Sequence, residues 1–90
     1  MGKTQVEQLK LKQLLTEIQR DITIGARYVH YKGADKIYEV TDIAFMEVDN
    51  TPCVIYKALY GEQLTFIRPV SSWIESVKWQ GETVPRFTKL

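Results

Sequence analysis

Ninety residues, 44% hydrophobic and 26% charged, with a formal net charge of +1 and a pI of about 7.8, describe one globular domain and leave no room for a second. A chain this short hides only about 60–65% of its unfolded surface on folding, so most apolar side chains are committed to the core before any serve a site. The single cysteine, Cys53, excludes an internal disulfide and a cysteine-rich zinc site and fits a reducing compartment.

In chain order, the first element is a helix from Thr4 to about Ile22. Leu11, Leu14, Leu15, Ile18 and Ile22, with Val6 upstream, recur at spacings of three and four and form one apolar stripe, while Gln8, Lys12, Gln13, Gln19 and Arg20 occupy the other face. Thr4 and Glu7 fit a capping box at its start, and Gly25 ends it. A helix of this length is marginal alone in water, so its stripe must be covered by the rest of the chain or by a second copy. The opening MGKTQVEQLK has no apolar h-region and no stretch of the chain approaches about 18 consecutive apolar residues, so the expectation is a cytoplasmic protein that does not cross a membrane.

After Gly25 the pattern changes to short runs rich in Tyr, Val, Ile, Thr and Phe, punctuated by Gly, Asp, Asn and Pro, which reads as an antiparallel all-β unit. The expected strands are Arg27 to Lys32, Ile37 to Phe45, Cys53 to Tyr60 and Leu64 to Arg68, the last stopped by Pro69. Ser72 with Glu75 reads as a second capping box over one helical turn, and Val77 to Trp79 and Thr83 to Phe87 flank a Gln80-Gly81 turn. Strands this short and numerous predict a small closed barrel, because closure removes exposed edges. Residues 1–24 are thus an amphipathic helix and residues 25–90 a β-barrel domain.

Residues 25 to 90 carry eight Lys or Arg and eight Asp or Glu, so the β unit lacks the basic excess on which a phosphate-neutralising nucleic-acid module relies. His30 is the only histidine. With Cys53 it is too isolated for metal-ligand spacing, and nothing in the sequence places a nucleophile beside it, so neither a metal nor a cofactor is expected. In Tyr28-Val29-His30-Tyr31 it reads first as an amphipathic strand residue. Gly33 and Gly61 stand alone and make no phosphate loop. Asp42 with Glu39, and Glu47 with Asp49, read as surface carboxylates beside turns, and Cys53 as a small buried hydrophobe. What rises above background is the crowding of tyrosines and other aromatics beside Arg27, Lys32, Arg68 and Arg86. Amphipathic rings next to guanidinium groups make binding surfaces, although a small barrel also needs rings to fill its interior.

Tyr28-x-His30-Tyr31-Lys32-Gly33, Tyr38-x-Val40, Tyr56-x-Ala58-Leu59-Tyr60-Gly61, Arg68-Pro69 and Val84-Pro85-Arg86-Phe87 together resemble a family of small bacterial domains of unknown function, the one numbered 1653. The resemblance runs from about Gly25 to the C-terminus and implies an SH3-like barrel and a bacterial cytoplasmic setting, without implying an activity. The chain departs from the family pattern at Ala44-Phe45-Met46-Glu47-Val48-Asp49, where a polar His-Ser-Glu-Thr stretch is usual, and at Val29, Phe66 and Trp73, where Arg, Trp and Phe are common. The N-terminal helix reads as an addition, its stripe suited to forming a homodimer, docking a partner or folding back over the barrel.

The sequence therefore predicts a mainly β protein, an SH3-like antiparallel β-barrel preceded by one amphipathic helix. Its expected role is that of a non-enzymatic binding or adaptor module in which Tyr28, His30, Tyr31, Tyr56, Tyr60, Arg68 and Arg86 recognise a peptide or small anionic ligand. The alternative is an RNA or single-stranded nucleic-acid module that stacks bases on the same rings, with Lys32, Lys36 and Lys57 along the backbone. An enzyme working through His30 and a nearby carboxylate is a third reading.

Overall fold

In a computed structural model describing residues 2–90, the chain is mainly β, with a helix at its N-terminus. Helix α1 spans Gln5–Ile18, and the Thr4–Glu7 capping box is present in both directions. The helix stops a turn short of Ile22. Ile22 N–H still reaches the Ile18 carbonyl at 2.9 Å, so the turn delivers Ile22 to the core without continuing the helix. Gly25 takes φ +88, a left-handed conformation that a side chain would strain, and turns the chain into the sheet.

The strands are β1 (Arg27–His30), β2 (Ile37–Phe45), β3 (Pro52–Ala58), β4 (Thr65–Pro69), β5 (Ser76–Trp79), β6 (Glu82–Pro85) and β7 (Phe87–Lys89); a one-turn helix α2, Val70–Trp73, follows β4. Five of them form an antiparallel sheet in the order β4-β3-β2-β1-β7, and β5-β6 is a separate hairpin closed by Gln80 and Gly81, both at positive φ. The expected closed barrel is not formed: the ladder never returns to β4, so the sheet stays open. The reason lies at Arg86, where the single expected strand from Thr83 to Phe87 divides in two. Its N–H bonds the Glu75 carbonyl at 3.1 Å beside the hairpin, and its carbonyl accepts from Tyr31 N–H at 3.0 Å beside the sheet, so the chain changes partners there.

The second expected capping box is also absent. Pro69 precedes α2 and gives no side-chain cap, while Ser72 and Glu75 are engaged by arginines instead. The helical turn comes two residues earlier than expected and turns Trp73 inward.

The core joins Ile18, Ile22, Tyr28, Val40, Ile43, Val54, Tyr56, Trp73 and Phe87, with Leu14 and Leu15 packed against it. The stripe of α1 is thus divided. Its C-terminal half docks on the chain's own sheet, whereas Val6 and Leu9 stay exposed. Cys53 is buried, as expected of a small hydrophobe, and that burial, with Asp49 a lesser cause, pushes its thiol pKa up. Ile18→Ala should accordingly cost about 2–5 kcal/mol and Val6→Ala no more than about 0.5 kcal/mol in urea unfolding. Equal losses would contradict the one-sided docking of α1.

Candidate functional site

The sheet face that carries Tyr56 is covered by rings. Trp73 stacks on Phe87 with centroids 3.7 Å apart and planes 8° apart, and Tyr56 and Tyr28 meet Trp73 edge-on at 4.9 and 5.4 Å. Tyr28, 4% exposed, belongs wholly to this interior, its hydroxyl accepting from Thr23 N–H at 2.9 Å. The sequence places it on a ligand-facing surface, whereas in the fold its ring is buried. Alternation along β1 points it into the sheet, and the α1–β1 connection lies over its hydroxyl. Tyr56, 6% exposed, is likewise interior, but its hydroxyl reaches the edge of the cluster and accepts from Arg68 Nε at 3.2 Å.

Arg68 and Arg86 are organised by one residue. Arg68 Nη1 donates to Ser72 Oγ at 2.8 Å, and Arg86 Nε donates to the Ser72 carbonyl at 3.0 Å. The Arg68 guanidinium lies 5.7 Å from the Phe87 ring centre, a cation–π placement. Arg86 also forms an ion pair with Glu75, Nη2 to Oε1 2.6 Å, whereas Arg68 has no carboxylate within 4.0 Å among the described residues. Two cations thus share a footing, and one is unneutralised.

His30 ends β1 directly opposite Phe87 in the register and packs against it at 5.1 Å and against Tyr31 at 4.5 Å. Tyr31 in turn meets the half-exposed Trp79 edge-on at 5.2 Å, which brings the hairpin to the cluster. His30 Nδ1 accepts from Lys32 N–H at 3.2 Å, leaving Nε2 to carry the proton of the neutral ring. Its pKa lies below the ordinary 6.5, chiefly because burial disfavours the charged ring, and further because Arg68, Arg86 and Lys32 repel a fourth positive charge.

Beside this centre, the Tyr60 and Tyr38 hydroxyls share a hydrogen bond, and Lys36 Nζ sits 4.5 Å over the Tyr60 ring. Burial first, then that bond, raises the Tyr38 pKa far above its usual value, so the phenol stays neutral. Tyr60 also walls a recess of about 200 Å³ with Ala58, Leu64, Phe66 and the turn 61–63. Lys57 alternates with Tyr56 and leaves from the opposite face, so it is not in line with Lys32 and Lys36.

Of the residues expected at the site, His30, Tyr31, Arg68 and Arg86 converge, Tyr56 supports Arg68, and Tyr60 borders the group through Tyr38. Sequence reasoning missed Ser72, which it read as a helix cap, and Tyr38, Phe87 and Trp79 as members. The pairing of His30 with Phe87 joins positions far apart in the chain, and no local pattern announces it. Among the described residues no three His, Cys, Asp or Glu side chains cluster as metal ligands, and no helix is long and apolar enough to cross a membrane.

The sign of the His30 shift gives a prediction. The unfolded chain binds its proton more tightly than the folded one, so the stability His30 contributes is fully present above about pH 6.5 and is lost as pH falls toward the lower folded midpoint. Imidazole NMR should place that midpoint below 6.5, and His30→Gln should flatten the fall of the urea midpoint over the same window. A His30 midpoint at or above 6.5 would contradict its burial beside Arg68, Arg86 and Lys32.

The model of the family described as a protein of unknown function, DUF1653, matches residues 26–89, so α1 precedes the matched segment. A crystal structure of a protein belonging to that family, from Bordetella bronchiseptica, is similar at a TM-score of 0.69 and 27% identity, over 80% of this chain and 91% of that one. No curated protein matches.

Proposed function

The chain belongs to the DUF1653 family, and on that footing we propose that it is a binding module for an anionic group, a carboxylate or phosphate borne by a peptide or small molecule. The group docks at Arg68, with Arg86, His30, Tyr31 and Tyr60 around it. The observation that carries this reading is the state of Arg68: half-buried, held by the neutral oxygens of Tyr56 and Ser72, and without a carboxylate among the described residues. Those two bonds use two of the five N–H donors of a guanidinium, so three are left unspent on side-chain acceptors. A partly desolvated cation without a counter-charge gains most from an incoming anion, because charge-assisted hydrogen bonds strengthen as water is excluded. The flanking rings of Tyr31 and Trp79 add rigid apolar area at low entropic cost.

Sodium pyrophosphate at low ionic strength is the first probe, followed by NMR. An anion at Arg68 offsets the repulsion felt by His30, so the His30 midpoint should rise as pyrophosphate is added. Arg68→Met keeps the apolar stem over Phe87 and should weaken that effect by about tenfold or more, the worth of one charged hydrogen bond. Unchanged His30 and Trp79 signals at millimolar pyrophosphate would remove the reading. Tight binding of a single-stranded oligonucleotide, with a steep salt dependence, would favour the nucleic-acid alternative instead.

A further inference from the structure

We propose that the outer edge of β4 takes up an extended peptide as an additional antiparallel strand, with an acidic side chain against Arg68 and, two residues later, an apolar side chain against Phe66. This deepens the anion-binding reading above and rests on it. The register supplies the docking groups. Ala58 N–H bonds the opposite Leu64 carbonyl at 2.9 Å, and β3 and β4 continue with Tyr56 against Phe66 and Val54 against Arg68. Alternation in an antiparallel ladder then gives the backbone groups of Phe66 and Arg68 to β3 and turns those of Thr65 and Ile67 outward. Among the described residues no strand lies beyond β4 to receive them, and Pro69, lacking an N–H, limits the edge to this short stretch.

The two edges of the sheet differ. At the other one, β7 is three residues long, Phe87 is buried, and Lys89 reaches back to Thr23 Oγ1 at 3.1 Å. In β4, Phe66 and Ile67 are 44 and 56% exposed, and Leu64 just before it is 59% exposed, although edges are ordinarily blunted with charge. Phe66 and Arg68 project from the same face as Tyr56, and Phe66 walls the recess of about 200 Å³. That volume falls short of the roughly 300–1,000 Å³ clefts that enclose drug-sized ligands, and it suits a single apolar side chain.

Charge selects the occupant. A second copy pairing its β4 antiparallel about Phe66 would place Leu64 opposite Arg68 and leave the guanidinium unneutralised, and the register about Thr65, which would bring Glu62 there, is interrupted by Gln63 at φ +53. A peptide with an acidic residue there supplies the missing charge. In an antiparallel addition the residue opposite Arg68 precedes the one opposite Phe66 by two. Both fall at non-hydrogen-bonded pairs, where facing side chains come closest. The sequence recognised is therefore acidic-x-apolar.

The test uses the full chain, isotopically labelled, and the blocked peptide acetyl-Thr-Thr-Glu-Thr-Leu-Thr-amide. Slowed exchange of the Thr65 and Ile67 amides on its addition supports the proposal. So does an affinity loss of about tenfold when the peptide Glu becomes Gln. Backbone N-methylation of the peptide, which leaves the protein untouched, should abolish the protection, and Ile67→Pro, which removes the Ile67 amide itself, should abolish it at Thr65. If pyrophosphate still binds but the peptide leaves both amides unprotected, the edge proposal falls and the anion site stands. If neither binds, both fall. Amide protection that grows with protein concentration in the absence of peptide assigns the edge to a second copy and overturns the proposal.

Discussion

The stack of Trp73 on Phe87 is the interaction from which the rest of the molecule follows. An open five-stranded sheet has an apolar face that must be covered, and here no closed barrel covers it. The cover is shared between the C-terminal half of α1 and one indole, which is brought in by a four-residue helix that could not persist on its own. Trp73 touches Tyr28 from β1, Tyr56 from β3 and Phe87 from β7, so it joins the centre of the sheet to its last strand. Aromatic pairs contribute about 0.5–1.5 kcal/mol each beyond the area they bury, and three pairs meet on this ring.

The cationic site is a by-product of that arrangement. Turning the chain after β4 to deliver Trp73 also delivers Ser72, whose hydroxyl and carbonyl take Arg68 and Arg86. Arg86 holds the junction between hairpin and sheet through its backbone and carries its own counter-ion, Glu75. Arg68 has a structural footing without a carboxylate partner among the described residues. The His30 pKa is lowered chiefly by burial and further by the same excess of positive charge. The residues that fix the fold are therefore also those that hold the Arg68 guanidinium without a carboxylate among the described residues.

Openness has a further consequence. A closed barrel would have consumed the outer groups of β4, whereas the switch at Arg86 sends the last strand to β1 and leaves β4 as an edge. That edge is the strand that carries Arg68, whose guanidinium reaches over the sheet face to Tyr56, Ser72 and the Phe87 ring. Backbone donors, an exposed ring and a cation thus share one short strand.

Much of this was legible in the amino-acid order. The Thr4–Glu7 cap, the full extent of β2, the Gln80-Gly81 hairpin and the burial of Cys53 each depend on neighbouring residues or on simple alternation, and each appears where the sequence puts it. Motifs such as Arg68-Pro69 and Val84-Pro85-Arg86-Phe87 likewise carried the family. The division of tyrosines into interior and rim was not legible, because both parities of β3 are largely apolar and only the packing of Trp73 decides which face is covered. Nor was the failure to close: Thr83 to Phe87 reads as one strand, and its split at Arg86 depends on hydrogen bonds to Glu75 and Tyr31, remote or unmarked in the sequence. Local order fixed the elements, since caps, turns and alternation are short-range. Tertiary packing alone chose their partners, since ring stacking and strand exchange compare groups that meet only once the chain has folded.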